Sequence, residues 1–283
     1  MSSGFITCTL SGGIGNQLFQ IAHAFSLSKA LNLELMLSFN QFSGCGQGSH
    51  PSKYYSSFYN KLNVINKLLP VSTYVQEAFF TYDPKIKAQL EKVVESNKNA
   101  GINLSGNFQS EFYFLSHRNE IKNLFIPSGG VENFLKHQYP TVFQKFIKLF
   151  STENLDDRCY IGVRRGDFME NANFHLPCGI EYYKEAIEKI GNDKQFYIAT
   201  DDIDWCKTNF KGDNFVFFEL TDDLPQLLLA MLFKFFIISN STFHWWGSYL
   251  SLYNDKRVIA PDRWINQYGY ESVYREDMEI LTR

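Results

Sequence analysis

The second half of the chain alternates short apolar runs with longer segments of helical spacing. Residues 159–163, 196–199, 215–218, 235–239 and 258–260 are apolar runs bounded by polar or turn residues, as buried strands are. Between them, residues 181–190 set Tyr182, Ala186, Ile187 and Ile190 on one side of a predicted helix. Residues 202–210, 224–231 and 242–252 also read as helices. Strands alternating with helices predict a parallel sheet covered on both faces.

The first half opens in the same way. Residues 5–10 predict a strand, Ser11-Gly12-Gly13-Ile14-Gly15 a turn, residues 16–31 a helix and 33–37 a second strand. Leu18, Ile21, Ala22 and Phe25 give that helix its apolar side. Residues 40–70, rich in Ser, Gly, Asn and Tyr, read as long loops with a short helix. Residues 103–114 read as a strand that turns near Gly106 into a helix. The expected fold is α/β, with two Rossmann-like domains facing a cleft. The first covers 1–152 and the second 153–283, with the boundary within 151–157.

Composition narrows the function classes. Hydrophobic residues make up 45% and charged residues 20% of the 283, an ordinary globular balance. A net charge of −3 argues against a broad polyanion-binding surface, so no nucleic-acid partner is expected and any phosphate recognition is local. Cys8, Cys45, Cys159, Cys178 and Cys206 form no CxxC pair and read as free thiols in a reducing compartment. The start lacks a basic segment followed by an apolar run, so no signal peptide is expected. The apolar stretch 227–239 is interrupted by Lys234 and is too short to span a bilayer, which takes about 20 residues. A cytoplasmic protein is expected, with peripheral association at the inner face of a membrane left open.

In open α/β sheets, ligands bind beyond the carboxyl ends of the strands. After 159–163 comes Arg164-Arg165-Gly166-Asp167. A guanidinium fork matches phosphate oxygens bidentately, so one arginine is expected to hold a phosphate while Asp167 anchors the other. A plain Arg–Asp ion pair is the alternative. After 196–199 comes Thr200-Asp201-Asp202-Ile203-Asp204. Asp201 could accept from the adjacent N–H groups of guanine. Asp202 and Asp204 spell DxD, read either as a metal site or as acids complementing a helix start. After 235–238 comes Ser239-Asn240-Ser241-Thr242-Phe243, a hydroxyl-rich helix start suited both to capping and to an anion. In the first half, the glycine cluster is no GxGxxG fingerprint, since Leu18 stands at the third glycine. It allows close backbone approach, with Asn16 and Gln17 facing the cleft. The six histidines show no HExxH or HxH spacing, so no zinc site is indicated.

Seven blocks in order from Ser11 to Ile265 resemble the bacterial-type α-1,2-fucosyltransferases of glycosyltransferase family 11. They are SGGIGNQLFQIAHAFSLS, GNFQSEF, VRRGDF, CGIEYYKEAI, FYIATDDIDWC, ISNSTFHWWGSYLS and VIAPDRWI. The resemblance implies a GT-B-like fold, GDP-β-L-fucose as donor, a galactose-containing glycan as acceptor, inversion at the anomeric carbon, and neither cofactor nor metal. The family's HxRRGD pattern lands on Gly162–Asp167, with Gly162 where histidine is usual; SNSTFSWWG lands on Ser239–Gly247, with His244 in place of serine. Either His244 or His175 is expected to fill the vacated space.

The expected catalytic residues are Arg164, Asp167 as general base, and Asn16 to orient the acceptor. Gly13, Arg164, Arg165, Asp201, Asn240, Ser241, Thr242 and Phe243 are expected on the donor. Gln17 and His175 are expected on the acceptor, and Tyr54, Tyr55 and Tyr59 either stack on a sugar or pack internally. Two rivals stay open: a transferase for another nucleotide sugar on the same scaffold, and a glycan- or nucleotide-binding protein that has lost catalysis.

Overall fold

A computed structural model describes residues 4–44, 48–78, 81–151, 153–266 and 270–282. Two compact units divide the chain. The first comprises Met1–Ile126 with Gly269–Tyr274, the second Pro127–Tyr268 with Arg275–Arg283. The division falls before 130, not within 151–157. Helices in 127–150 carry Phe143, Phe146 and Leu149, which are buried, and Phe146 stacks edge-on against Phe218 of the second unit, 5.0 Å between centroids.

In the first unit, β1 (Phe5–Cys8), α1 (Ile14–Leu31) and β2 (Glu34–Leu35) form the expected βαβ unit. Then come β3 (Thr73–Gln76), α2 (Lys85–Ser96), β4 (Gly101–Ser105) and α3 (Arg118–Phe125). The sheet order is β2-β1-β4-β3, all parallel. After Gly106 the chain makes short 3₁₀ turns, Glu111–Tyr113 and Leu115–His117, before α3.

The second unit begins with α4 (Gly130–Gln138) and α5 (Pro140–Lys145). It continues through β5 (Arg158–Val163), α6 (Gly166–Glu170), α7 (Ala172–His175), α8 (Ile180–Ile190), β6 (Gln195–Thr200), α9 (Ile203–Asn209) and β7 (Phe215–Phe217). It closes with α10 (Asp223–Ala230), β8 (Phe235–Ile238), α11 (Thr242–Tyr249), β9 (Arg257–Pro261) and β10 (Met278–Leu281). The order β10-β9-β8-β5-β6-β7 is parallel throughout. Counted from β5, this is 3-2-1-4-5-6, the doubly wound nucleotide-binding order, with its switch point between β5 and β8.

Burial explains why the central strands read so clearly. Every residue of β5 is buried, so both faces must be covered. Cys159, Ile161 and Val163 pack with Tyr182, Tyr183, Phe196 and Ile237 on one side. Tyr160 and Gly162 face the other side, where α11 brings His244; Trp245 and Trp246 of the same helix are fully buried. Truncating either tryptophan to alanine would cost about 3–5 kcal/mol.

Candidate active site

The switch point brings the ends of β5, β6 and β8 together. A pocket of about 110 Å³ opens there, lined by Val163, Arg164, Thr200, Asp201, Asp223, Gln226, Ser241, Phe243 and His244. Four of these, Arg164, Asp201, Ser241 and Phe243, are expected donor residues. Thr200, Asp223 and Gln226 were missed. The signal was available: Thr200 ends β6, and Asp223 opens the helix after β7, a strand end where no motif stood out.

The two arginines separate after all, though not in the expected way. Arg164 Nη2 lies 2.7 Å from Asp167 Oδ1 and its Nη1 lies 3.0 Å from Asp201 Oδ2. Arg165 points elsewhere. Its Nε donates to Asp202 Oδ2 at 3.2 Å and its guanidinium lies 4.1 Å over the Trp205 ring. Asp167 therefore pairs with Arg164, not Arg165, because the i,i+3 spacing across the first turn of α6 folds it back over the strand end. Arg165 lies outside the pocket lining and fastens α9 to the sheet.

Asp201 carries a second bond, accepting from the Arg165 main-chain N–H at 2.8 Å. Its carboxylate thus organises the arginine turn from the pocket wall. Asp202 caps α9, accepting from Trp205 N–H at 3.2 Å, and Asp204 lies in the first turn. The DxD is a helix start.

Ser241 is the N-cap of α11 but makes no side-chain capping bond. Trp245 donates the helix's first backbone bond, to Ser241 O at 2.9 Å. The N–H groups of Thr242, Phe243 and His244 thus have no acceptor within the helix, as any first turn leaves them. Thr242 is half-buried and outside the pocket lining. Asn240 is buried, and its Nδ2 donates to His175 O and to Trp264 O, the latter at 2.7 Å, while Cys178 Sγ donates to its Oδ1 at 3.8 Å. Its side chain is a clasp between segments.

His175 stacks face to face on Phe168, 4.0 Å between centroids and 6° between planes. Arg164 sits 5.4 Å from the same Phe168 ring. Burial lowers the His175 pKa, which Asp167 raises and Arg164 lowers in turn, so His175 belongs to the electrostatic surroundings of the pair.

In the first unit, Gly12 takes a left-handed φ of +70° at the turn after β1. Gly13 is the N-cap of α1, and a Cβ at Gly48 would stand 2.4 Å from its Cα; the close approach is between two backbone segments. Gln17 is fully buried. Its Nε2 donates to Gly12 O at 3.0 Å and Ser49 O at 2.9 Å, and its Oε1 accepts from Tyr59 at 3.2 Å. This amide ties loop to turn, with both of its N–H donors spent inside the unit. Asn16 is half-buried, its Oδ1 held by Gln109 Nε2 at 3.2 Å. Tyr54 and Tyr59 are core residues, whereas Tyr55 is 45% exposed.

Cys8, Cys159, Cys178 and Cys206 are buried free thiols, and burial pushes the Cys206 thiol up to about 12. Cys45 lies outside the described residues. No helix among the described residues is long and apolar enough to cross a membrane.

The family model described as glycosyl transferase family 11 matches residues 2–278. The chain belongs to this family. It is 26% identical to an α-1,2-colitosyltransferase of Escherichia coli, over 93% of this chain and 93% of that protein. It is also 26% identical to the O-antigen biosynthesis glycosyltransferase WbnK of Escherichia coli, over 90% of this chain and 93% of that protein. The fold resembles the NodZ α-1,6-fucosyltransferase structure soaked with GDP-fucose, with a TM-score of 0.55 at 13% identity, covering 93% and 96% of the two chains. Fucosyltransferase NodZ from Bradyrhizobium matches with a TM-score of 0.50 at 12% identity, covering 87% and 93%. As a family 11 member the protein is a glycosyltransferase, and the switch-point pocket is its candidate active site.

Proposed function

We propose that this family 11 protein transfers L-fucose from GDP-β-L-fucose to the 2-hydroxyl of a galactose on a glycan, with inversion and without a metal ion. One observation carries the reading. Arg164 leaves β5 at the switch point of a doubly wound sheet and lines the same pocket as the first turn of α11.

The acceptor oxygen attacks C1 from the face opposite GDP. The new C1–O bond forms as the bond to the β-phosphate oxygen breaks, and the acceptor's proton passes to a base. Negative charge grows on the β-phosphate, so a group that binds it more strongly in the transition state accelerates the step. Arg164 is that group in this reading, aided by the N–H groups opening α11. Asp167 and Asp201 hold the guanidinium in place, and a diphosphate must share it with them. Asp167 is the proposed base, and Asn16 the proposed acceptor-orienting amide.

Metal independence is supported by where the carboxylates stand. Asp167, Asp201 and Asp202 each face a guanidinium, and Asp202 also caps a helix. The colitosyltransferase relative favours a second reading, in which a nucleotide-linked colitose is the donor sugar. The test is incubation with GDP-fucose or GDP-colitose and a panel of galactosides, with EDTA present, followed by linkage determination. An α-1,2-fucosyl galactoside formed in EDTA supports the proposal. Colitosyl transfer alone supports the second reading, and donor turnover that requires magnesium removes metal independence.

A further inference from the structure

The strand end that carries Arg164 is held by an imidazole from another element. Tyr160 and Gly162 are two residues apart on β5 and share a face of the sheet. His244, in the first turn of α11, lies over that face. Its Nδ1 is 2.8 Å from the Tyr160 hydroxyl, and the ring also bonds the main chain of Val163, the residue before Arg164.

The ring fills the space that any side chain at 162 would need. A Cβ on Gly162 would stand 2.3 Å from His244 Cγ and 2.5 Å from Nδ1. Those distances are well inside van der Waals contact, so His244 would have to shift. It is 4% exposed, and the Tyr160 ring beneath it packs against Phe218, Phe233 and Phe236. Glycine at 162 and histidine at 244 are thus two halves of one arrangement.

We propose that His244 is a positioning residue for Arg164, its imidazole entering from α11 into the space left by Gly162 and pinning the end of β5 to the pocket wall. This rests on the donor-pocket reading above. Burial and the neighbouring Arg164 hold the His244 pKa down at about 3, so the ring is neutral and adds no repulsion beside the guanidinium. His175, the other candidate for this space, stacks on Phe168 instead.

The test is a double-substitution cycle read by GDP titration, kcat and KM, and thermal midpoint. His244→Ser removes the pin, and Gly162→His drives a second imidazole into the first. Each single variant should lose about 10- to 100-fold in GDP affinity, the scale expected when a binding group is misplaced by an ångström. The double variant, with one imidazole in the same space, should recover to within about threefold of the unaltered protein. A double variant no better than the worse single overturns the proposal. So do folded single variants that bind GDP normally and change only in midpoint, because that is packing alone. If Gly162→His does not fold, Gly162→Ala replaces it: alanine should be tolerated when combined with His244→Ser and not when His244 is kept. An unaltered protein that binds no GDP sinks the donor reading and this inference together, whereas GDP binding without recovery sinks this inference alone.

Discussion

The carboxylate of Asp201 rests against Gly166, so close that a Cβ there would stand 2.8 Å from its Oδ2. The glycine in Arg-Arg-Gly-Asp is therefore a space requirement. It lets a carboxylate from β6 reach the strand end and hold both Arg164, through the side chain, and Arg165, through the main chain.

Gly166→Ala should consequently move Asp201 more than it unfolds the protein. The neighbour that must yield is a partly exposed carboxylate, so stability should fall by no more than about 1 kcal/mol. Donor affinity should change by a larger factor, since Arg164 loses its contact with Asp201. Urea unfolding and GDP titration on the same variant check this split. A midpoint shift with unchanged affinity would show that Asp201 does not organise the pocket.

Arg164→Ala should lower kcat by about 10²–10³-fold or more, as expected for removing a donor aimed at developing charge. Arg164→Lys should retain little, since a single ammonium cannot make the two-pronged contact. A lysine variant with most of its kcat would remove the bidentate role. Arg165→Ala should differ in kind: it breaks the contacts to Asp202 and Trp205, lowering stability with kcat largely kept.

Asp167→Asn tests the proposed base. The pH–rate profile should lose its acidic limb and the rate should fall, because no carboxylate remains to take the acceptor's proton. An unchanged acidic limb with a near-normal rate excludes Asp167.

Acid should unfold the protein partly through two buried histidines. Burial lowers the pKa of both His23 and His244 from 6.5 to about 3. The unfolded chain takes up these protons more readily, so stability is complete above about 6.5 and is lost as pH falls toward 3. Each histidine contributes a slope of up to about 1.4 kcal/mol per pH unit in that window. His244→Ser should flatten the stability–pH curve between about pH 6 and 4 by one proton's worth, measured by urea unfolding at each pH. An unaltered slope would mean that His244 is already accessible to solvent.

Asn240→Ala should destabilise the second unit by about 2–4 kcal/mol, because it leaves the His175 and Trp264 carbonyls without their donor inside the protein. Differential scanning calorimetry checks the size. A loss of GDP affinity with an unchanged midpoint would place Asn240 in the donor site.

The order of strands and helices in the second unit was legible because β5, β6 and β8 are short, apolar and buried, while the helices between them are amphipathic. β3 and β10 were not read. Both are sheet-edge strands with one side exposed, Tyr74 at 74% and Ile280 at 44%, so their pattern mixes apolar and polar residues. The residues at strand ends were legible as a group, since chemistry-bearing side chains follow buried strands directly. Their pairings were not. Nothing in the linear order says that Asp201 reaches across from β6, or that Asn240 and Gln17 turn inward as clasps.

The chain by itself determined the central strands of the second unit, the amphipathic helices between them and the opening β1-α1-β2, because burial periodicity and turn residues act over a few positions at a time. It also determined that arginine, acid and hydroxyl would stand at the carboxyl ends of neighbouring strands. Only the tertiary structure decided which carboxylate holds which guanidinium, and that the ring of His244 occupies the volume missing at Gly162. Those choices depend on distances between residues 37 and 82 positions apart along the chain, which close packing across the sheet sets and local sequence cannot.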